Sequence, residues 1–176
     1  MRIVGGKYKG RTLLEFKGQD IRPTSDMVRE SLFNILQFKI LDKNFLDLFC
    51  GTGAVGIEAL SRGAKSVTFN DASRTSLELT KKNLLKLGIE QGYNLTNRNG
   101  VDFANGCLQR FDYIFVDPPY NSDLGVNSLK TLSEILDEDG VVVYESEQPL
   151  KEEIDGLCQY DQRKYGRAYL TFLKRR

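Results

Sequence analysis

The sequence predicts one α/β domain, with a mostly parallel β-sheet, helices on both faces and an antiparallel strand at the C-terminal end. Short β-branched and aromatic runs alternate with helical periodicity from residue 45 onward, which is typical of βαβ units. The last two apolar runs are separated only by a short turn, which favours an antiparallel hairpin. The length of 176 residues, 40% of them hydrophobic, suits a single domain spanning residues 1–176.

An N-terminal extension of residues 1–38 is predicted to precede a core of residues 39–176. Two short runs around three glycines predict a β-hairpin at its start. Thr24 or Ser25 can then cap a helix. Apolar residues at helical spacing carry that helix to about Phe38.

The core is predicted to alternate strands and helices in chain order. Strands are expected at residues 45–49, 66–69, 94–98, 113–116 and 141–144, and helices at 54–61, 77–87, 101–108 and 126–136. Residues 165–173 are expected to form a last strand, antiparallel to 157–163. In a sheet of parallel strands, a ligand site is expected at the carboxyl ends of the strands.

The composition excludes several classes of function. The chain has no histidine, which removes Ser-His-Asp and Cys-His nucleophiles and any imidazole base. Three widely separated cysteines argue against a disulfide framework or a metal site, and they favour a reducing compartment. No apolar run approaches the roughly 20 residues that cross a bilayer. We therefore expect a cytoplasmic protein with no membrane partner, and nothing in the sequence requires more than a monomer.

Basic residues are concentrated at the two ends of the chain. Residues 1–17 hold five Lys or Arg and one acid, and residues 160–176 hold six and one. The middle, residues 18–159, holds 14 basic and 22 acidic residues. This distribution is typical of a surface that contacts a polyanion, although charged termini also occur simply because water solvates them.

A glycine-rich loop follows the first predicted strand of the core. Residues 51–56 read G-x-G-x-x-G, and Asp71 comes 20 residues after Gly51, at the end of the next strand. In such sheets the glycines let a ligand approach the backbone, and the acid accepts hydrogen bonds from ribose hydroxyls. The loop therefore predicts a nucleoside-containing cofactor, with a purely structural turn as the alternative.

Asp47 distinguishes between two such cofactors. It lies four residues before Gly51, at the mouth end of its strand. A carboxylate there can pair with the amino group of the methionyl part of S-adenosyl-L-methionine, whereas it would repel the pyrophosphate of NAD. The alternative is a buried acid that caps the loop amides.

The tetrad Asp117-Pro118-Pro119-Tyr120 ends the most apolar predicted strand. The prolines fix the backbone, so that the Pro118 carbonyl and the Asp117 carboxylate offer two acceptors beside a stacking ring. This arrangement suits a planar substrate with an exocyclic amino group. Hydrogen bonds from that amine would direct its lone pair toward an activated methyl group, a step that needs positioning rather than an imidazole base. A proline-stiffened turn is the alternative.

With the glycine loop and Asp71, the tetrad resembles the amino-methyltransferase branch of Rossmann-like S-adenosylmethionine enzymes. Over essentially the full length the chain resembles the bacterial 16S rRNA guanine-N2 methyltransferase family (RsmD-like). The stretches that carry this resemblance are 1–6, 9–11, 22–26, 29–34, 46–49 and 51–54. It implies methyl transfer to the 2-amino group of one guanine in 16S rRNA. The partner would be that RNA or the small ribosomal subunit, including an assembly intermediate.

The resemblance and the basic ends together assign expected roles to individual residues. The target base is expected at the catalytic residues Asp117, Pro118, Pro119 and Tyr120. The expected cofactor-binding residues are Asp47, Phe49, Gly51, Thr52, Gly53, Asp71 and Asn99, with Asp102 as a second candidate for the adenine amino group. The expected RNA-binding residues are Arg2, Lys7, Lys9, Arg11, Arg22, Thr24 and Arg167. Residues 174–176 are expected either to add to this surface or to fray, and Cys50 is expected to pack as a small hydrophobe.

Three alternatives remain open at this point. A DNA adenine-N6 methyltransferase shares the tetrad, although 176 residues leave little room for a target-recognition domain. An NAD-dependent oxidoreductase explains the glycine loop but gives the tetrad no role. A non-catalytic RNA-binding assembly factor would carry a vestigial site, although every expected catalytic residue is present.

Overall fold

The computed structural model describes residues 1–17, 25–119 and 122–176. These residues form the strands β1 (Asn44–Asp47), β2 (Ser66–Asn70), β3 (Tyr93–Thr96), β4 (Phe111–Val116), β5 (Leu136–Ser146), β6 (Leu157–Tyr165) and β7 (Ala168–Arg175). They also form the helices α1 (Asp26–Leu36), α2 (Ala54–Ser61), α3 (Arg74–Lys86), α4 (Gly100–Gly106) and α5 (Leu124–Leu132), with a 3₁₀ turn (Gln37–Ile40) after α1. None of these helices is long and apolar enough to cross a membrane in this described part.

The strands form one sheet in the order β3-β2-β1-β4-β5-β7-β6. Neighbouring strands from β3 to β5 are parallel, whereas β7 runs antiparallel to both β5 and β6. The predicted fold class is therefore confirmed. The order places β1 and β4 side by side, so that the chain proceeds outward in opposite directions from this pair. In open α/β sheets the carboxyl ends of such a pair border the ligand crevice.

The sheet is covered on both faces by apolar clusters. Phe45 packs in the cluster that contains the apolar residues of α1, α2 and α3, whereas its neighbour Leu46 packs in the cluster with α4 and α5. Both side chains are at most 1% exposed. Burial on both faces explains why β1 and β4 read as continuous apolar runs rather than as alternating patterns.

The predicted N-terminal hairpin is present, but it lacks regular strands. Arg2 and Thr12 form an isolated antiparallel bridge, and the Ile3 N–H donates across the hairpin to the Arg11 carbonyl at 2.9 Å. The backbone of the hairpin also bonds to helix α2. The Lys7 N–H donates to the Ser61 carbonyl at 2.7 Å, and the Val4 N–H donates to Glu58 Oε2 at 2.9 Å. The extension is therefore attached to the C-terminal half of α2.

A buried arginine completes this attachment. The Arg29 side chain is fully buried, and its Nη2 donates to the Arg2 carbonyl at 2.7 Å. Its Nη1 lies 3.6 Å from Glu58 Oε2, while Glu58 Oε1 accepts a hydrogen bond from Arg62 Nε at 2.9 Å. Burial of a charge is costly unless it is paired, so loss of either Arg29 or Glu58 would leave the other buried with one partner fewer. The network therefore fixes α1, α2 and the extension relative to one another.

Two predicted helix ends are also wrong. The helix expected to continue to residue 136 ends at Leu132, and Leu136 begins β5, where it pairs with Phe111. The helix expected to reach residue 108 ends at Gly106, and Leu108 is fully exposed. Both Leu136 and Leu108 fall at helical spacing in the sequence, but neither belongs to the helix. Leu136 is buried as part of the sheet, and Leu108 is not buried at all.

Candidate active site

A cavity of about 660 Å³ lies at the carboxyl ends of β1, β2 and β4. Among the expected cofactor-binding residues, its wall contains Asp47, Phe49, Gly51, Thr52, Asp71 and Asn99. The expected base-binding residues Asp117, Pro118 and Pro119 line the same cavity. Within the described residues no Lys or Arg side chain lines it. The cavity is large enough for a nucleoside-containing ligand. Its charged side chains are acidic, and the α-amino group of the lining residue Met1 is paired with Glu15.

The glycine loop takes a backbone conformation that favours glycine. Gly51 and Gly53 have φ values of 53° and 78°. A Cβ on Gly53 would lie 2.7 Å from Thr80 Cγ2, whereas a Cβ on Gly51 would meet no atom within 4 Å. Gly53 does not line the cavity, and its role is the close packing of the loop on α3. Thr80 Oγ1 also donates to the Gly51 carbonyl at 3.1 Å.

Asp71 holds the glycine loop from the end of β2. Its Oδ2 accepts a hydrogen bond from the Gly51 N–H at 2.9 Å, and its Oδ1 accepts one from the Ser73 N–H at 2.8 Å. A carboxylate has about four lone-pair sites, so both oxygens can accept further hydrogen bonds. Because Asp71 also lines the cavity, its predicted contact with a ribose is compatible with the geometry.

Asp47, the last residue of β1, is buried beside the first turn of helix α2. Its side chain is 2% exposed, and Oδ2 accepts a hydrogen bond from the Gly56 N–H at 2.9 Å. Burial, with smaller contributions from the nearby charges of Asp117 and Asp71, raises the pKa of this carboxyl from 3.8 to about 7, although the Gly56 hydrogen bond lowers it. The carboxylate therefore occupies the helix end at which an anionic ligand would otherwise bind.

Asp117, Pro118 and Pro119 follow directly on β4 and are held from α5. A Cβ on Gly125 would lie 2.7 Å from Pro118 Cγ and 2.9 Å from the Tyr144 hydroxyl, so Gly125 allows close packing there. Burial raises the pKa of Tyr144, and the Asp117 charge raises it further. The predicted stacking residue, Tyr120, lies outside the described residues.

Asn99 lines the far part of the cavity, whereas Asp102 is not among the lining residues. The Asn99 side chain caps α4 by accepting a hydrogen bond from the Asp102 N–H at 2.9 Å. Asn70, at the end of β2, holds the residue before Asn99 by donating to the Arg98 carbonyl at 2.9 Å. It also donates to the Leu48 carbonyl, after β1, at 3.0 Å. Of the two candidates for the adenine contact, the structure thus places Asn99 at the cavity.

Several residues that line or support the cavity were not predicted from the sequence. Glu15 and Phe16 of the extension line the cavity, and Asn70 and Asn83 are fully buried supports of the site loops. Asn83 lies three residues after Thr80, on the buried face of α3. A polar residue at a buried helical position was the available signal, because such groups need hydrogen-bond partners.

The basic N-terminal turn lies on the outer surface near helix α2. The predicted RNA-binding residues Arg2, Lys7, Lys9 and Arg11 are all exposed. The turn contacts Ser61, at the end of α2 opposite the glycine loop. An eight-residue helix is about 12 Å long, which separates this turn from the loop. Arg22 and Thr24 lie outside the described residues.

The C-terminal cations are divided between two edges of the sheet, the carboxyl edge, where the parallel strands end, and the amino edge, where they begin. Tyr169 pairs with Ser146, so the turn that holds Arg167 lies at the edge where the parallel strands end and the cavity opens. Residues 174–176 lie at the opposite edge, where Arg175 pairs with Leu157. Arg176 Nε donates to the Leu157 carbonyl at 3.1 Å. Because β7 continues to Arg175, the expectation that this tail frays is wrong, whereas its expected contribution to RNA binding stays a prediction.

Cys50 is 6% exposed, and burial raises the pKa of its thiol well above the usual value, so it packs as a small hydrophobe. Its Sγ lies 3.6 Å from Thr80 Oγ1. No group of three potential metal-ligating side chains comes together in the described part of the chain.

The mostly parallel sheet, the glycine loop and the acidic cavity define a Rossmann-like methyltransferase. The family model described as "Conserved hypothetical protein 95" matches residues 1–174, and the chain belongs to this family. The Haemophilus influenzae protein "Ribosomal RNA small subunit methyltransferase D" is 39% identical over 138 residues, which cover 76% of this chain and 71% of the relative. The Escherichia coli K12 protein of the same name is 36% identical over 149 residues, 84% of this chain and 75% of the relative.

Solved structures agree with this assignment. The structure of yhhF from Escherichia coli has a TM-score of 0.88 at 32% identity, and the match covers 99% of this chain and 97% of that one. SMU.776, solved in complex with SAH, shares the fold at 17% identity and a TM-score of 0.68, over 84% of this chain and 48% of that one. The family resemblance drawn from the sequence motifs is thus confirmed.

Proposed function

We propose that the protein transfers a methyl group from S-adenosyl-L-methionine to the 2-amino group of a guanine in 16S rRNA. The observation that carries this proposal is the convergence of Asp47, Asp71 and the Asp117-Pro118 pair on one cavity. The names of the relatives, which act on ribosomal RNA of the small subunit, support the same substrate.

The electrostatics of the cavity favour a cationic cofactor over a dinucleotide. The N–H groups of Gly51 and Gly56, which would bind a pyrophosphate, already donate to Asp71 and Asp47. No Lys or Arg lines the described wall to compensate the charge of a phosphate. A sulfonium and an ammonium group are attracted to the same carboxylates. This argues against the NAD-dependent oxidoreductase.

The residues of this chain would hold the cofactor in three places. Asp47 would accept hydrogen bonds from its amino group, Asp71 from its ribose hydroxyls, and Asn99, which lines the same cavity, from its adenine. When bound, S-adenosyl-L-methionine supplies a methyl group that is already activated. Asp47 is then favoured in its ionised form, because the ammonium group offsets the burial that raises its pKa.

Asp117 and Pro118 would orient the guanine amine. The amine donates one N–H to the Asp117 carboxylate and the other to the Pro118 carbonyl, which directs its lone pair toward the methyl group. As the new N–C bond forms, the bond between the methyl group and the sulfur breaks and S-adenosylhomocysteine is the leaving group. The cationic nitrogen then releases a proton to Asp117 or to water. Because the proton leaves a strongly acidic nitrogen, the chain needs no histidine.

The RNA would extend from the cavity across the basic surfaces. Arg167 lies in the turn at the cavity edge, and Lys7 and Lys9 lie in the N-terminal turn, about 12 Å along α2 from the glycine loop. Both positions suit phosphates that flank an extruded base.

Methyl incorporation from labelled S-adenosyl-L-methionine tests the proposal. The protein is incubated with small ribosomal subunits that lack the modification, or with plasmid DNA, and the product nucleosides are separated. We expect label in N2-methylguanosine from 16S rRNA and none in DNA. Label in N6-methyladenine of DNA would support the DNA methyltransferase instead. No transfer to either substrate would favour the non-catalytic assembly factor.

A further inference from the structure

The segment that follows the N-terminal turn connects the outer surface to the cavity. Residues 2–12 carry the exposed cations, whereas Glu15 and Phe16 line the cavity. Between them, Leu13 is only 6% exposed and packs in the core. A short stretch of backbone thus joins the surface proposed for RNA to the site proposed for the cofactor.

Asn83 of α3 binds this stretch and the glycine loop with one side chain. The side chain is fully buried, and its Oδ1 accepts a hydrogen bond from the Leu14 N–H at 2.7 Å. Its Nδ2 donates to the Leu14 carbonyl at 3.1 Å and to the Thr52 carbonyl at 2.9 Å. An asparagine amide supplies the acceptor and both donors that this geometry needs, whereas aspartate lacks the donors.

The three hydrogen bonds connect the positions of two backbone segments. Thr52 lines the cavity as part of the glycine loop, and Leu14 immediately precedes Glu15, which also lines it. If either segment moves, the Asn83 amide loses a hydrogen-bond partner, which is costly because this side chain is fully buried. A ligand that orders the glycine loop therefore also orders the segment.

We propose that Asn83 is a positioning residue that couples RNA binding on the N-terminal turn to cofactor binding in the cavity. This inference rests on the proposed function, because it requires both ligands. The coupling is reciprocal, so RNA raises the affinity for the cofactor by the factor by which the cofactor raises the affinity for RNA. Its physical basis is preorganisation, because the first ligand orders backbone that the second then need not order.

Equilibrium dialysis of labelled S-adenosylhomocysteine measures this coupling. The Kd is determined with and without saturating small ribosomal subunits that lack the modification. For the parent protein we expect the Kd without subunits to exceed the Kd with subunits by about five-fold or more. In Asn83→Ala and Asn83→Asp the ratio is expected to fall to about one, although each ligand alone still binds. A ratio that stays unchanged in both variants, or a ratio of one in the parent protein, would overturn the proposal.

Asn70→Ala is the matched control. Asn70 is also fully buried and also donates to two backbone carbonyls, but its partners are Leu48 and Arg98 rather than the N-terminal segment. We expect this variant to lose stability while it keeps the ratio. Loss of the ratio in Asn70→Ala as well would mean that general destabilisation, not Asn83, explains the result.

Hydrogen exchange on the parent protein covers the case in which the Asn83 variants do not fold. The amides of residues 13–16 are expected to exchange more slowly once S-adenosylhomocysteine is added alone. Unchanged exchange with bound ligand would contradict the coupling. Failure of the proposed function is distinguishable, because the parent protein would then fail to bind S-adenosylhomocysteine, the subunits or both, whereas failure of the coupling alone leaves both ligands bound with a ratio of one.

Discussion

Strand β4 has an aspartate near each end, and the two aspartates have different surroundings. At the amino end, Asp112 accepts a hydrogen bond from Lys43 Nζ at 2.8 Å and another from a backbone N–H of β1 at 2.8 Å. At the carboxyl end, Asp117 lines a cavity together with Asp47 and Asp71. The amino edge of the sheet thus uses a carboxylate to hold strands together, whereas the carboxyl edge presents carboxylates to a ligand.

The difference between the edges is electrostatic. At the amino edge, the raised pKa of Lys43 comes first from its hydrogen bond to Asp112. At the carboxyl edge, burial raises the pKa of Asp47 to about 7, and no Lys or Arg lines that part of the described cavity. Burial disfavours the ionised form of Asp47, and an ionised acid at such a place lowers the stability of the fold. A strongly shifted pKa of this kind is typical of a functional site.

The sharpest test of the comparison removes one aspartate from each edge. Asp117→Ala is expected to lower the single-turnover rate of methyl transfer about a thousand-fold, because the acceptor that orients the amine is lost. Asp112→Ala should keep the rate and lower the melting temperature. Rates are measured with labelled cofactor and saturating subunits. Equal losses of rate in the two variants would contradict the assignment of a structural role to Asp112 and a catalytic role to Asp117.

The charge on Asp47 is expected to control cofactor affinity. Asp47→Asn should weaken S-adenosylhomocysteine binding about a hundred-fold, because a desolvated charge-assisted hydrogen bond is lost. In the parent protein the affinity should rise with pH up to about 7, by about ten-fold per unit, because only the ionised carboxyl pairs with the ammonium group. Calorimetric titrations from pH 5.5 to 8.5 measure both effects. A flat pH profile in the parent protein would contradict this role.

The same variant is expected to stabilise the unliganded protein. The pKa of Asp47 is raised from 3.8 to about 7, so its contribution to stability is present at low pH and is lost as the pH rises through 7. Asp47→Asn should therefore raise the melting temperature by several degrees at pH 8 and change it little at pH 4. Asp112→Asn, which breaks the pair with Lys43, should lower it at pH 8. Thermal scans that show destabilisation by Asp47→Asn at pH 8 would refute the burial argument.

The two ends of helix α2 offer a smaller test. Gly53 begins the helix at the carboxyl edge and Gly63 follows it at the amino edge, with φ values of 78° and 96°. Gly53→Ala and Gly63→Ala should each cost about 1–3 kcal/mol of unfolding free energy, from backbone strain and close contacts. Only Gly53→Ala should also weaken cofactor binding. Denaturant titrations and calorimetry together would show whether the loss of affinity is confined to the carboxyl edge.

The smallest effects are expected from surface cations. Arg167→Ala should weaken binding to subunits a few-fold and reduce the salt dependence of binding by about one phosphate contact, because Arg167 lies at the cavity edge. Lys174→Ala, at the opposite edge, should leave both unchanged. Filter binding at several salt concentrations measures the slopes, and equal slopes for the two variants would place the RNA elsewhere.

The sequence predicts the carboxyl edge better than it predicts the N-terminal extension. Asp47, Gly51, Asp71 and Asp117 belong to short motifs at strand ends, and parallel pairing brings the ends of β1, β2 and β4 together. The contacts of Glu15, Phe16 and Asn83 depend on how the extension packs on α2 and α3. No local pattern encodes that packing, since it follows from Arg29 and Glu58, which are distant in the chain.

A crystal structure with S-adenosylhomocysteine tests the central claim most directly. We predict that the ligand occupies the cavity of about 660 Å³, with its amino group within hydrogen-bond distance of Asp47, its ribose at Asp71 and its adenine near Asn99. Asp112 should keep its contacts with Lys43 and β1 unchanged. A ligand bound outside this cavity, or one that contacts none of these carboxylates, would contradict the account.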